Sequence, residues 1–449
     1  MTPEQPTPPP HPHSPKRAML HTLGCRLNQA ETLALRDLLA SHGYEVAAPG
    51  EKAALAIINT CSVTRLATAK CRQVIRQIIA ENPRAYIAVI GCYSQTGAAE
   101  LATIDGIDLI LGNQDKMRLL DHIGTGEKNT TPAIVLERIT KDDFSIAPSN
   151  PRPFDKRANL KVQDGCNLAC SFCIIPRARG TARSRNFDNL MDEATALATR
   201  GVRELVLTGV NLGAYASGKH TLTHAIDALA QIHGIKRIRI SSIEPATMPA
   251  PLLQRMADTA HPLQPHLHLP LQSGCERILR DMRRKYSRDE YATLARAAAA
   301  KVPGLCLGTD IMVGFPGETD AEFEETCAFF QSLPFAYAHV FTYSERDGTT
   351  AARRTDQVPI PTRQRRSAHL RRLSAERQHA FHTAHLGHTV QVLFEDAANG
   401  MWPGYTGNYI RIAIPTAQTP GQNLANHLGL VRIDTAHPRH ATGTWLGET

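Results

Sequence analysis

The chain has 449 residues, enough for about three domains at ~100–200 residues each, and its 42% hydrophobic and 20% charged content is that of an ordinary soluble globular protein. No stretch approaches the ~18 uninterrupted apolar residues of a membrane helix, and ten cysteines are too sparse for a disulfide scaffold, which argues against a helical membrane protein and a cystine-stapled secreted one. Lys and Arg outnumber Asp and Glu by 50 to 42, a net charge of +8 that suits a polyanionic partner.

Residues 1–17 are predicted to be a disordered tail, because five of the first ten are proline and nothing apolar repeats. The tail lacks the apolar core of a secretory signal, so the expected location is the cytoplasm. Over 18–125, strands are predicted at 18–24, 54–59, 86–91 and 109–111, with helices at 29–42 and 64–80 between them. That alternation specifies a parallel α/β sheet of the flavodoxin- or Rossmann-like kind. A stretch rich in Gly, Asn, Pro and Ser, 126–152, reads as a linker with room for one strand at 133–137.

A second alternation fills 153–380, with strands at 159–162, 204–208, 237–241, 266–269, 305–312 and 338–341 and helices such as 192–200 and 288–300. Six βα units describe a partial barrel, whose active site belongs at the C-terminal strand ends. Between Ser344 and Ala380, nine arginines meet only four acids, a surplus of five charges. Arg363, Arg365 and Arg366 are its densest part and are candidate contacts to nucleic-acid phosphates; the plainer reading is a solvated helix face. Arg177, Arg179, Arg183 and Arg185 form a second such group. Residues 381–447 carry closely spaced β runs at 389–394, 405–406, 409–414 and 428–433, which point to a small OB-like barrel. Tyr405 and Tyr409 there suit either base stacking or the barrel core.

The cysteines carry the chemistry. Cys166-Asn-Leu-Ala-Cys170-Ser-Phe-Cys173 follows the first strand of the barrel pattern. A structural zinc site wants four closed ligands, whereas three thiolates without a fourth fit a 4Fe–4S cluster with one open iron. Cys25, Cys61 and Cys92 each follow one of three successive strands of the first unit, where a parallel sheet gathers its loops at one edge. Three convergent thiolates there would hold a second such cluster. Cys71, Cys275, Cys306 and Cys327 fit no motif and read as packing residues, and the twenty histidines show no ligand spacing. Gly124-Thr-Gly-Glu-Lys-Asn-Thr130 lacks the full phosphate-loop pattern.

The triplet at 166–173 looks like the signature of the radical S-adenosylmethionine (SAM) enzymes. The whole order, Leu-Gly-Cys-x-x-Asn, Asn-Thr-Cys, Gly-Cys, Asp-Gly-Cys-Asn-x-x-Cys-x-x-Cys and a terminal β-module, resembles the methylthiotransferase family from residue 18 to the end. The resemblance implies an N-terminal methylthiotransferase domain, a central radical SAM partial (β/α)6 barrel and a C-terminal RNA-binding TRAM domain. It implies two 4Fe–4S clusters, one on the catalytic Cys166, Cys170 and Cys173 and one on Cys25, Cys61 and Cys92. Segments Thr208–Gly213, Ser241–Pro245, His268–Gly274 and Asp310–Glu318 resemble those lining the SAM pocket, which makes Gly209, Asn211, Ser241, Glu244 and Gly314 the candidate cofactor contacts. Thr22–Thr32 and Asn59–Thr64 look most like the branch that acts on N6-threonylcarbamoyladenosine at tRNA position 37. The strings Gly-Cys-Gln-Met-Asn and Gly-Cys-Pro-Lys-Asn, usual in the isopentenyladenosine and ribosomal-protein branches, are absent. The implied partners are the tRNA anticodon loop and a low-potential electron donor such as flavodoxin or ferredoxin. The alternatives are methylthiolation of isopentenyladenosine tRNA or of a ribosomal-protein aspartate, and more remotely a non-catalytic metal-bound RNA-binding protein.

Overall fold

The computed structural model describes residues 16–48, 50–124, 126–146 and 156–449. The predicted tail lies outside them as far as residue 15, but Lys16 and Arg17 already open the first strand. Six parallel strands build the first sheet, in the order Tyr44–Val46, Lys16–Thr22, Leu55–Thr60, Tyr86–Gly91, Leu109–Leu111 and Ala133–Val135. Along Leu55–Thr60, Leu55 and Ile57 pack on Leu35 and Leu39, while Ala56 and Ile58 pack on Val74 and Ile75 across the sheet. Burial on both faces makes such a strand a continuous apolar run, and each aliphatic side chain so covered contributes about 1.5–3 kcal/mol. The sixth strand comes from the predicted linker, so this domain extends past residue 125; residues 147–152 of that linker and 153–155 after it lie outside the described ones.

The central strands are Arg157–Lys161, Glu204–Thr208, Arg237–Ile240, His266–His268, Cys306–Val313 and Tyr337–Thr342. They form two three-stranded parallel sheets, bridged where Ile238 meets Leu263. The first and last strands do not pair, leaving the partial barrel open at the side. Helix Arg26–Ser41 of the first domain packs against strand Arg157–Lys161 at one edge of this opening, and helix Ile360–Thr383 lies along Tyr337–Thr342 at the other. Outer helices start on local signals: Ser287 with Glu290 and Thr319 with Glu322 both form capping boxes.

The C-terminal module is a closed five-stranded barrel, in the order Thr389–Phe394, Met401–Thr406, Arg411–Pro415, Ala441–Glu448 and Leu428–Ala436. Its core holds Val392, Phe394, Trp402, Ile412 and Val431. Arg237 donates to the carbonyls of Tyr405 and Gln391, and Arg239 to that of Gly407, which docks this barrel on the central one. Among the described residues no helix is long and apolar enough to cross a membrane.

Candidate active site

Cys25, Cys61 and Cys92 sit in the turns after three adjacent parallel strands. Cys25 is the N-cap of helix Arg26–Ser41 and Cys92 opens helix Cys92–Leu101. Two glycines let the turns meet. Gly24 has a φ of +104°, and a Cβ on it would lie 2.6 Å from the Cys61 Cβ. Gly91, at +99°, would bring a Cβ to 2.5 Å from the Asn59 Oδ1. The Asn28 amide then ties the turns, donating to the carbonyls of Leu23 at 2.8 Å and Thr60 at 2.9 Å. Burial pushes the Cys61 thiol up to about 12, and negative charge on Cys92 and Cys25 adds to it. Such a thiol ionises only when a cation neutralises it, as metal binding does.

The second triplet lies in a loop closed by antiparallel pairing of Gln163–Asp164 with Arg183–Ser184. The backbone N–H groups of Leu168 and Ile175 point at the sulfurs of Cys166, 3.4 Å away, and Cys173, 3.5 Å away. Arg284 donates to the Cys170 Sγ at 3.3 Å and grips both Glu244 oxygens at 2.6 and 2.7 Å. Burial pushes Cys173 up to about 12 and raises Cys166 as well. Among the described residues, the three ligand atoms of Glu324, Cys327 and His369 alone lie within 4.8 Å of one another, as a single ion requires. Both cysteine triplets are more open than that, as the corners of a cubane cluster demand, and their all-thiol donor set fits iron–sulfur chemistry.

A dry charge cluster joins the two triplets. Glu31 pairs with Lys116 at 2.5 Å, Lys161 at 2.7 Å and Arg179 at 3.0 Å, and Asp164 pairs with Lys161 at 2.6 Å and Arg179 at 3.0 Å. All five side chains are buried. Burial raises the Glu31 carboxyl, but Arg179, Lys116 and Lys161 outweigh it and hold the group well below the usual carboxylate range. The Lys116 ammonium donates to Asn113 at 2.8 Å, and the Asn113 amide reaches the Ala178 carbonyl at 2.6 Å and stands 3.7 Å from the Cys92 Sγ.

Between these parts lies a cavity of about 720 Å³, bounded by Cys25 and Arg26, the barrel interior and Tyr409. Its wall is polar. His266 meets the Tyr337 hydroxyl at 3.1 Å, and His268 lies 3.2 Å from the Ser242 hydroxyl and 3.3 Å from Asp310. Burial, then the charge of Arg239, holds the His266 imidazole well below its ordinary pKa, so it is neutral.

Of the candidate cofactor contacts, Gly209 and Ser241 line this cavity. Asn211 accepts from Thr247 at 2.8 Å, Glu244 is held by Arg284, and Gly314 abuts the Arg363 side chain. The expected phosphate contacts need correction. Arg363 and Arg366 are buried, paired with Glu345 at 2.7 Å and Glu318 at 2.6 Å, because their helix turns them toward the barrel; Arg365 stays exposed. In the second group Arg179, Arg183 and Arg185 are likewise buried and only Arg177 is exposed. Tyr405 and Tyr409 stack on each other at 4.9 Å, with Arg157 4.6 Å from the first ring and Arg239 4.6 Å from the second, so both rings are engaged within the chain. Arg284 and the Glu31 cluster escaped the sequence reading, since isolated polar residues in apolar surroundings carry no spacing signal.

The sequence profile of the radical SAM superfamily matches residues 160–330, and that of uncharacterized protein family UPF0004 matches residues 17–112. The threonylcarbamoyladenosine tRNA methylthiotransferase MtaB of Bacillus subtilis (strain 168) is 37% identical over 401 residues, covering 87% of this chain and 89% of that one. The tRNA-2-methylthio-N(6)-dimethylallyladenosine synthase of Maricaulis maris (strain MCS10) is 33% identical over 453 residues, covering 96% and 98%. Among solved structures, the radical S-adenosylmethionine methyltransferase TsrM from Kitasatospora setae shares the fold at a TM-score of 0.53 and 15% identity, over 76% of this chain and 77% of that one.

Proposed function

This chain belongs to the radical SAM methylthiotransferases, and we propose that it methylthiolates C2 of N6-threonylcarbamoyladenosine at position 37 of tRNA. The observation that carries this reading is one cavity of about 720 Å³ whose wall includes Cys25 of one cysteine triplet and Ile175, two residues past the other. A purine C2–H is beyond the reach of any side-chain base, so the reaction needs a cofactor. When bound, SAM on a 4Fe–4S cluster at Cys166, Cys170 and Cys173 supplies radical chemistry, a second cluster at Cys25, Cys61 and Cys92 supplies the sulfur site, and a further SAM the methyl group.

The chain's own residues do the rest. Arg284 and the N–H groups of Leu168 and Ile175 steady one set of thiolates; Asn28 and Asn113 steady the other. The Glu31 cluster fixes one set against the other, which holds the reacting groups in register. The cavity walls shelter the base from water. Position 37 lies in a loop, so presenting its base costs less unstacking than extracting one from a duplex. The electron comes from a low-potential donor such as flavodoxin or ferredoxin, and the setting is the cytoplasm.

Mass spectrometry of tRNA nucleosides from cells with and without this gene is the test. Loss of 2-methylthio-N6-threonylcarbamoyladenosine, with its unthiolated precursor accumulating, is expected. Loss of the isopentenyladenosine product instead would move the substrate to that tRNA class, and an unchanged profile would move it to ribosomal protein.

A further inference from the structure

Arg26, half-buried, differs from other guanidiniums of the site. Arg179, Arg239 and Arg284 each pair with a carboxylate, on Glu31, Glu204 and Glu244. Arg26 lines the cavity, and its guanidinium donates to the neutral Tyr409 hydroxyl at 2.9 Å. Among the described residues no carboxylate lies within 4.0 Å of it. A guanidinium's fork of donors is made for a carboxylate, and one facing a sheltered cavity without such a partner is an open anion site.

Two neighbours point the same way. His266 is 3% exposed and lines the same cavity, and its Nδ1 has no hydrogen-bond partner among the described residues. A buried polar atom left unpaired is costly unless a ligand completes it. Tyr409 holds a left-handed backbone, φ 68°, uncommon for an aromatic residue, while its ring is clamped by Tyr405 and Arg239 and lies 4.9 Å from His266. Strain kept in place by packing is a mark of functional positioning.

We propose that Arg26, His266 and Tyr409 form the subsite for the threonylcarbamoyl substituent on the target base, with Arg26 taking its carboxylate. The proposal rests on the substrate reading above and deepens it. The substituent carries one carboxylate, one hydroxyl and a urea, which match a guanidinium, a phenol and an imidazole with a free nitrogen. A purely aliphatic substituent would desolvate Arg26 and His266 without replacing their hydrogen bonds, and a site built for polar partners rejects such an analogue strongly. Because Arg26 directly follows Cys25, gripping the carboxylate also registers the base against the sulfur-bearing thiols.

The test uses the full-length, cluster-loaded protein under anaerobic conditions without reductant, and reads binding by fluorescence anisotropy. The probes are three anticodon stem-loop RNAs that differ only at position 37: threonylcarbamoyladenosine, its carboxamide analogue, and plain adenosine. The protein should bind the first roughly ten- to a hundredfold tighter than the third, the range for a charge-assisted hydrogen bond, and should lose most of that preference on the carboxamide. Arg26→Gln should no longer distinguish the first probe from its carboxamide and should lose most of the preference over adenosine, whereas Arg26→Lys should keep part of it. Iron content shows whether the variants retain their clusters; should they lose iron, the carboxamide probe on the unaltered protein decides. Undiminished preference in Arg26→Gln with iron retained, or full tolerance of the carboxamide, overturns the subsite. Absence of any preference in the unaltered protein would instead bring down the substrate reading, before any variant is made.

Discussion

Replacing Glu31 by Gln should loosen the junction between the first domain and the barrel. The Glu31 carboxylate contacts Lys116, Lys161 and Arg179 at 2.5–3.0 Å, and its side chain is fully buried. The substitution leaves three buried cations to share Asp164. Removing one partner of a buried ion pair costs about 3–5 kcal/mol, because the remaining charges stay dry and uncompensated. At roughly 2–4 °C per kcal/mol for a domain of this size, the first unfolding transition should fall by about 6–20 °C. Scanning calorimetry of the cluster-free protein under reducing conditions measures it, read at the first transition because several domains need not melt together. A pH series adds a signature. Glu31 keeps its proton off in the fold well below its ordinary 4.5, because three cations outweigh the effect of burial. A depressed carboxyl gives stability that is present above about pH 4.5 and lost as the pH falls toward the folded value. That acid limb should therefore flatten in Glu31→Gln. Lys116 marks the alkaline side: burial lowers it from 10.5 to about 8, so the unfolded chain binds more protons in that interval and stability rises with pH across it. A loss below about 1 kcal/mol, the scale of an exposed pair, together with an unchanged acid limb, would refute the idea of a dry junction.

Cys170→Ala should abolish 5′-deoxyadenosine formation from SAM, and normal formation would defeat the cluster assignment at 166–173. Replacing Cys25, Cys61 and Cys92 together by Ala should halve the iron per chain and remove thiolated product; persistent thiolation would show that the sulfur comes from elsewhere. Gly24→Ala should do much the same with its cysteines intact, since the new Cβ would stand 2.6 Å from that of Cys61, and backbone strain should cost a further ~1–3 kcal/mol. Full iron content in that variant would show that the turns can separate without losing the site. Arg284→Met should destabilise the barrel by about 3–5 kcal/mol by stranding the buried Glu244, read as a lowered midpoint in guanidinium chloride.

Both cysteine triplets stand out in the sequence because one has tight spacing and the other follows three successive strands, and those strands are legible because burial on both faces leaves unbroken apolar runs such as Tyr86–Gly91. Edge strand Tyr44–Val46 and closing strand Ala441–Glu448 alternate too weakly to read. The arginines misled for a different reason. Counting charge cannot tell a residue facing solvent from one facing Glu318, and Arg363 and Arg366 lie on the inward side of their helix. The cavity wall was legible in part, at Gly209, Ser241 and Asp310, but the meeting of His266, Asp310 and Tyr409 was not, because they come from three elements more than forty residues apart and meet only through topology.

Helix Arg26–Ser41 stands against the unpaired edge strand of the open barrel. The first domain is thereby also masonry of the central cavity, whose wall includes Cys25, Arg26 and Leu27. A chain begun at residue 156 would be no minimal radical enzyme: strand Arg157–Lys161 would present a bare edge, with Lys161, Asp164 and Arg179 stripped of Glu31 and Lys116. Bare edges recruit other strands. The first domain is therefore no interchangeable cassette; grafting a foreign one would mean re-matching a buried ionic seam before any chemistry could be exchanged.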